Sequence, residues 1–305
     1  MNPKGLNLMK GMSCFLAAAA LIIAATQLQP PTNPTGSVQA GTNYAAQTAY
    51  VLKPIPSSAV HHQLTGLPRI RLKESTSGNW CGYAVPLDTA KESDVFSDVQ
   101  GTWKVPTVTS TGKSAAYSST WVGIDGYDNG TVEQIGSEQD WTGSRQLNYV
   151  WFEMYPNGAY EITGFPASPG DVITAQVHYV GRVVVKANRN RTEEESVFQL
   201  TIENVTKKAS YTVPASYTTI PAPELASAEW VMEAPTGRNV LPLADFGTVS
   251  FSNCEAASLH TDEVLSPIST WAADPMTMVD PSGGGAVPTS LSGGGEAFSV
   301  SWAAK

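Results

Sequence analysis

The sequence predicts an all-β protein, an antiparallel β-sandwich, on three observations. From about Glu74 onward, runs of Val, Thr, Tyr, Trp and Ile alternate with polar residues. Gly, Pro, Asn and Asp punctuate these runs at short intervals. No stretch carries a long helical period. Many short strands with frequent turns bury a core as packed antiparallel sheets.

The N-terminus reads differently. Lys4 and Lys10 precede an apolar run, Cys14 to Ala25, with small residues at Ala24 and Ala25. The run is shorter than the roughly 20 residues needed to span a bilayer. Residues 1–27 are therefore expected to be a signal peptide, and the protein to be secreted, with no membrane attachment after cleavage. Residues 28–73 are expected to be a propeptide or linker. Pro30, Pro31 and Pro34 break regular structure there, and Arg69-Ile-Arg-Leu-Lys73 is the densest basic cluster in the chain. That cluster reads either as solvated linker or as a basic prosegment held on an acidic catalytic domain. Residues 74–305 form the expected sandwich domain.

Within it, Tyr149-Val-Trp-Phe-Glu-Met-Tyr155 alternates cleanly. Tyr149, Trp151, Glu153 and Tyr155 share one face; Val150, Phe152 and Met154 share the other. Trp121, Gly123 and Asp125 likewise oppose Val122 and Ile124. Gln134 shares a face with Val132 and Gly136, and Glu229 with Val231 and Glu233. Asp171–Lys186, Ser196–Val205, Thr248–Ser252 and Ala297–Trp302 also read as strands, and Gly283–Gly285 and Gly293–Gly295 as flexible loops. Aromatics flanking Glu153 outside the core suggest a face that binds something.

Composition narrows the function. The chain has 305 residues and a formal net charge of −9, with only 15% charged residues. Nucleic acids and anionic membranes call for basic patches, which an acidic surface does not offer. Three cysteines are present. Cys14 leaves with the signal peptide, so Cys81 and Cys254 either pair or stay free. Of four histidines, His61 and His62 fall in the expected propeptide, which leaves His178 and His260. No HExxH motif, nucleophile elbow, Walker A or dinucleotide fingerprint occurs, so no metal or cofactor is expected. Ser110-Thr-Gly-Lys113 fits S-x-x-K but lies in a Thr/Ser/Gly-rich loop. Chemistry is left to carboxylates, amides and tyrosines.

A set of segments, in order, resembles the glutamic peptidases, the eqolisin or G1 family. They are Ser77-Gly-Asn-Trp80 with Gly82, Gly101-Thr-Trp-Lys-Val-Pro106, Trp121-Val-Gly-Ile-Asp-Gly126, Gln134-Ile-Gly136, Trp151-Phe-Glu-Met-Tyr-Pro156 and Ala228-Glu-Trp230. The resemblance spans roughly residues 75 to 302. It implies a jelly-roll or concanavalin-like sandwich of two curved sheets, with the active site on a concave face. It implies Gln134 and Glu229 as catalytic dyad, and Trp80, Trp121, Asp125, Trp151, Glu153 and Tyr155 as substrate-binding residues. It implies an acid endopeptidase acting on proteins and peptides; for a secreted sandwich a monomer is the default expectation. Cys81 after Asn-Trp, Met154 where tryptophan is frequent and Glu133 before the glutamine depart from the fungal pattern and suggest a bacterial-style branch. Two rivals use the same residues. A jelly-roll glycoside hydrolase would pair Glu153 with Glu229; a noncatalytic lectin-like module would use the aromatic strip alone.

Overall fold

The computed structural model describes residues 50–56, 75–87, 94–110, 112, 114–155, 157–188, 191–261, 263–280 and 284–304. The expected signal peptide, Cys14, His61, His62 and the basic run Arg69–Lys73 lie outside them. The described residues belong to one compact unit, Thr48–Lys305.

Eighteen strands make up this unit among the described residues. In chain order they are β1 (Val51–Pro54), β2 (Ser75–Ser77), β3 (Trp80–Pro86), β4 (Phe96–Lys104), β5 (Ser119–Ile124) and β6 (Val132–Trp141). There follow β7 (Gln146–Tyr155), β8 (Tyr160–Thr163), β9 (Val172–Asn188), β10 (Arg191–Asn204), β11 (Ala209–Thr212) and β12 (Thr219–Ile220). The last are β13 (Ser227–Glu233), β14 (Thr248–Ser258), β15 (Ser266–Pro267), β16 (Asp274–Asp280), β17 (Gly284–Pro288) and β18 (Phe298–Ala303). Helix is confined to short 3₁₀ turns among the described residues.

Each expected strand is present. The second and third run longer than expected, as β10 and β14. Gly284 and Gly285 depart from expectation: they lie in β17, paired with Asp280 and Val279, where backbone hydrogen bonds rather than side chains hold them.

The ladder is continuous. One layer runs β1-β8-β7-β6-β5-β13-β3-β16. Strand β17 joins it to a second, β18-β14-β4-β9-β10. Among the named strands only β2 with β16 pairs in parallel.

The core fills the space between the layers. Val122, Ile135, Phe152 and Trp230 come from the first layer; Val99, Trp103, Val177 and Phe251 come from the second. Each large apolar side chain withdrawn from water stabilises the fold by about 1.5–3 kcal/mol. Two indoles also stitch the layers. Trp230 Nε1 donates to the Gln100 carbonyl at 2.6 Å, and Trp103 Nε1 donates to Ser137 Oγ at 2.9 Å. Cys81 and Cys254 are both buried and both free, so the possible disulfide does not form. Burial pushes both thiols up, which keeps them protonated and unreactive.

Candidate active site

Strand alternation places a second set of side chains on the opposite face of the first layer. Residues directly across a ladder point the same way, so register reads out the site row by row. One row runs Asp274, Ala84, Glu229, Gly123, Gln134, Glu153. The next runs Met276, Gly82, Val231, Trp121, Gly136, Trp151. The third runs Trp80, Glu233, Ser119, Glu138, Tyr149. Trp80, Trp121, Trp151, Val231 and Met276 pack together there as a cluster separate from the core.

Gln134 Nε2 donates to Glu153 Oε2 at 3.0 Å, which fixes the amide of the first row. Gly123 makes this row possible. A side chain there would come within 3.0 Å of the Trp121 ring and 3.1 Å of Gln134 Cβ. Gly136 serves the next row, since a Cβ there would lie 2.5 Å from Trp121 Cβ. Trp80 meets Trp121 edge to face, with ring centroids 4.8 Å apart. The indoles are anchored by their N–H groups: Trp121 Nε1 on Glu233 Oε2 at 2.7 Å and Trp151 Nε1 on Ser119 Oγ at 2.9 Å.

The face is rich in buried acid. Burial holds Glu233 well above the usual carboxylate range, against the pull of the Trp121 donor. Burial, then the neighbouring Asp140, raises Glu138. Burial, then Asp125 and Glu229, raises Glu133, which is fully buried on the other face of β6, opposite Met154. Carboxyls held this way stay protonated well into the range where ordinary ones ionise.

The expected site residues sort as follows. Gln134, Glu229, Glu153, Trp121, Trp151 and Trp80 share this face. The aromatics and Glu153 are not exposed, as the binding reading supposed: all are fully buried. Part of the cover is Ile55, which packs against the aromatic cluster. Tyr155 closes β7 half-buried, opposite Val132. Asp125 leaves the row. Strand β5 ends at Ile124, and Asp125 takes a left-handed φ of 69° that turns it away from the alternation. Its carboxylate accepts from the Leu225 and Ala226 amides at 2.8 and 2.7 Å and from Asn129 Nδ2 at 2.7 Å. It ties the loop after β5 to the segment that leads into Glu229.

Two residues were missed in the sequence. Asp274 accepts from both Tyr127 Oη and Ser75 Oγ at the far end of the first row. It arrives through the pairing of β16 with β3, which no local pattern announces. Glu233 had a signal: it continues the alternation of Glu229 and Val231.

Comparison with known proteins identifies the family. Residues 78–302 match the sequence profile of the Peptidase A4 family. Aspergillopepsin-2 of Aspergillus niger is 29% identical over 249 residues, 75% of this chain and 79% of that protein. Scytalidopepsin B of Scytalidium lignicola is 34% identical over 110 residues, 36% of this chain and 38% of that protein. The crystal structure of scytalido-glutamic peptidase with a transition state analog inhibitor superposes with a TM-score of 0.54 at 22% identity, over 74% of this chain and 98% of that one. At that identity the likeness speaks for the β-sandwich fold. The profile match covers most of the chain, and the chain belongs to the Peptidase A4 family, the glutamic peptidases.

Proposed function

We propose that Glu229 and Gln134 are the catalytic dyad of this glutamic endopeptidase, which hydrolyses peptide bonds of protein substrates in acid. The observation that carries the assignment is their registration in one row across Gly123. Two strand spacings separate their backbones by about 10 Å. Two long side chains facing each other over that gap leave room for a scissile peptide and a water.

Glu229 as carboxylate takes a proton from the water as it attacks the carbonyl carbon. The tetrahedral oxyanion receives an N–H from Gln134. Glu153 accepts one N–H of the same amide; the second is directed to the oxyanion. Glu229 then returns its proton to the leaving nitrogen, and the C–N bond breaks. An unperturbed glutamate titrates near pH 4.3, so the base works where histidine is already protonated. The indoles of Trp80, Trp121 and Trp151 form an apolar wall for an extended substrate.

Gln134 between the two glutamates favours this reading over a glycosidase pair. Glycosidase chemistry places water or sugar between Glu153 and Glu229 and has no use for an amide there.

Residues 1–27 are read as a signal peptide, 28–73 as a prosegment and 74–305 as the secreted, monomeric peptidase, which takes no nucleic acid and no membrane as partner. Among the described residues, no helix is long and apolar enough to cross a membrane. Strand β1, within the prosegment range, supports latency. It adds to the edge of β8, and Ile55 N donates to the Ala159 carbonyl at 2.8 Å while its side chain packs on the aromatic cluster. Acid protonates carboxylates that would hold the basic run Arg69–Lys73 and loosens that segment.

Casein digestion from acid to neutral pH, wild type beside Glu229→Gln, tests the assignment. Acid-limited cleavage that vanishes in the variant is expected. Substantial cleavage by a folded Glu229→Gln protein would remove Glu229 from the dyad.

A further inference from the structure

Glu233 lies two rows behind the catalytic one and takes no part in the proton transfers described above. It is fully buried in the third row, opposite Trp80 and Ser119. Its neighbourhood does not favour a carboxyl on stability grounds: burial disfavours its charge, and Glu153 adds a like charge nearby. An apolar residue of the same volume would be cheaper there. Yet donors converge on it. Trp121 Nε1 gives a short hydrogen bond to Oε2 at 2.7 Å, Asn79 Nδ2 a longer one to Oε1 at 3.3 Å, and the Trp80 indole adds its dipole from outside hydrogen-bond geometry.

The Trp121 bond reaches the dyad. With its N–H held on Glu233, the six-membered edge of the indole lies over Gly123, beside Gln134 Cβ. An indole can rotate about two side-chain torsions. One hydrogen bond at its far edge removes that freedom and fixes which edge faces the row. We propose that Glu233 is a positioning residue for peptide hydrolysis: through the Trp121 indole it sets the substrate wall beside Gln134. This rests on the reading of Gln134 and Glu229 as the dyad. A plainer role would be to anchor the turn at Asn79, whose amide also donates to Thr236 Oγ1 at 3.4 Å.

A double-mutant cycle in the full-length, acid-activated protein separates the two roles. Its members are Glu233→Leu, which removes the acceptor, Trp121→Phe, which keeps an aromatic ring and deletes the N–H, and the pair together. Each single change is expected to lower kcat/KM about tenfold, carried by KM, with kcat within about threefold of wild type. The double variant is expected to be no worse than the worse single one, because both remove the same link. Additive losses, or a Trp121→Phe enzyme with wild-type KM, would overturn the proposal and leave Glu233 as an anchor for Asn79. If Glu233→Leu does not accumulate as folded protein, Asn79→Ala carries the test: it removes the anchor and leaves Trp121 on Glu233, so a wild-type KM is expected and a rise of about tenfold would overturn the proposal. Failure of the dyad would show separately, as retained turnover in Glu229→Gln.

Discussion

Glu229 and Gln134 stand on either side of Gly123 in a single register line, and the strand between them contributes no side chain. A long acid and a long amide thus share one row over a strand position with no side chain, with the edge of Trp121 beside them.

Removing either partner should stop the chemistry without unfolding the sandwich. Glu229→Gln is expected to lower kcat by roughly 10³–10⁴ through loss of the base. Gln134→Ala is expected to lower it by about 10²–10³ through loss of the oxyanion donor. Melting curves close to wild type, measured beside the kinetics, separate chemistry from folding.

Filling the floor should be nearly as damaging. A methyl at position 123 would sit 3.0 Å from the Trp121 ring and 3.1 Å from the Glu133 carbonyl, so neighbours must shift. Gly123→Ala is expected to cost about 10² in kcat/KM through displaced geometry. Steady-state kinetics with wild-type activity would show that the ring yields at no cost.

Stability should fall as pH rises. Burial raises the folded-state pKa of Glu133, Glu138 and Glu233 above the ordinary 4.5. Between the unfolded and folded values the native chain holds more protons, so stability is greatest in acid and is lost through that window. His178 is raised by its hydrogen bond to Asp98, at 3.0 Å, and extends the same slope from about pH 6.5 upward. Melting temperatures should decline steadily from about pH 4.5 to neutrality. A midpoint that climbs over that range contradicts this account.

The β1 strand gives a test of latency. Ile55→Asp places a charge against the Trp80–Trp121–Trp151 cluster and should weaken the docking of its segment. For roughly 1 kcal/mol of lost packing, activation after acidification should be about fivefold faster. Unchanged lag times would leave β1 a plain edge strand.

Much of this was legible in the sequence, because strand alternation is a local code. Tyr149–Tyr155 divides as its residues suggest, with Val150, Phe152 and Met154 in the core and Trp151 in the outer cluster. The code fails where a strand ends. Asp125 follows the parity of Trp121 and Gly123 on paper, but a left-handed turn hands its carboxylate to the Leu225 and Ala226 amides. Nor does it report distant pairing: Asp274 enters the first row from the other end of the domain. Burial of the tryptophans depends on what packs over the sheet, and a strand's own pattern carries no word of that.

The insertion of β13 between β3 and β5 bears on when the enzyme comes into being. Gln134 and its hairpin partner Glu153 leave the ribosome early and can pair at once. Glu229 follows 95 residues after Gln134, and must slot between two strands made long before it. Contacts so far apart in sequence form late. On the proposed dyad, a nascent chain is chemically inert through most of its synthesis, and the order of its strands shields the cell that makes it.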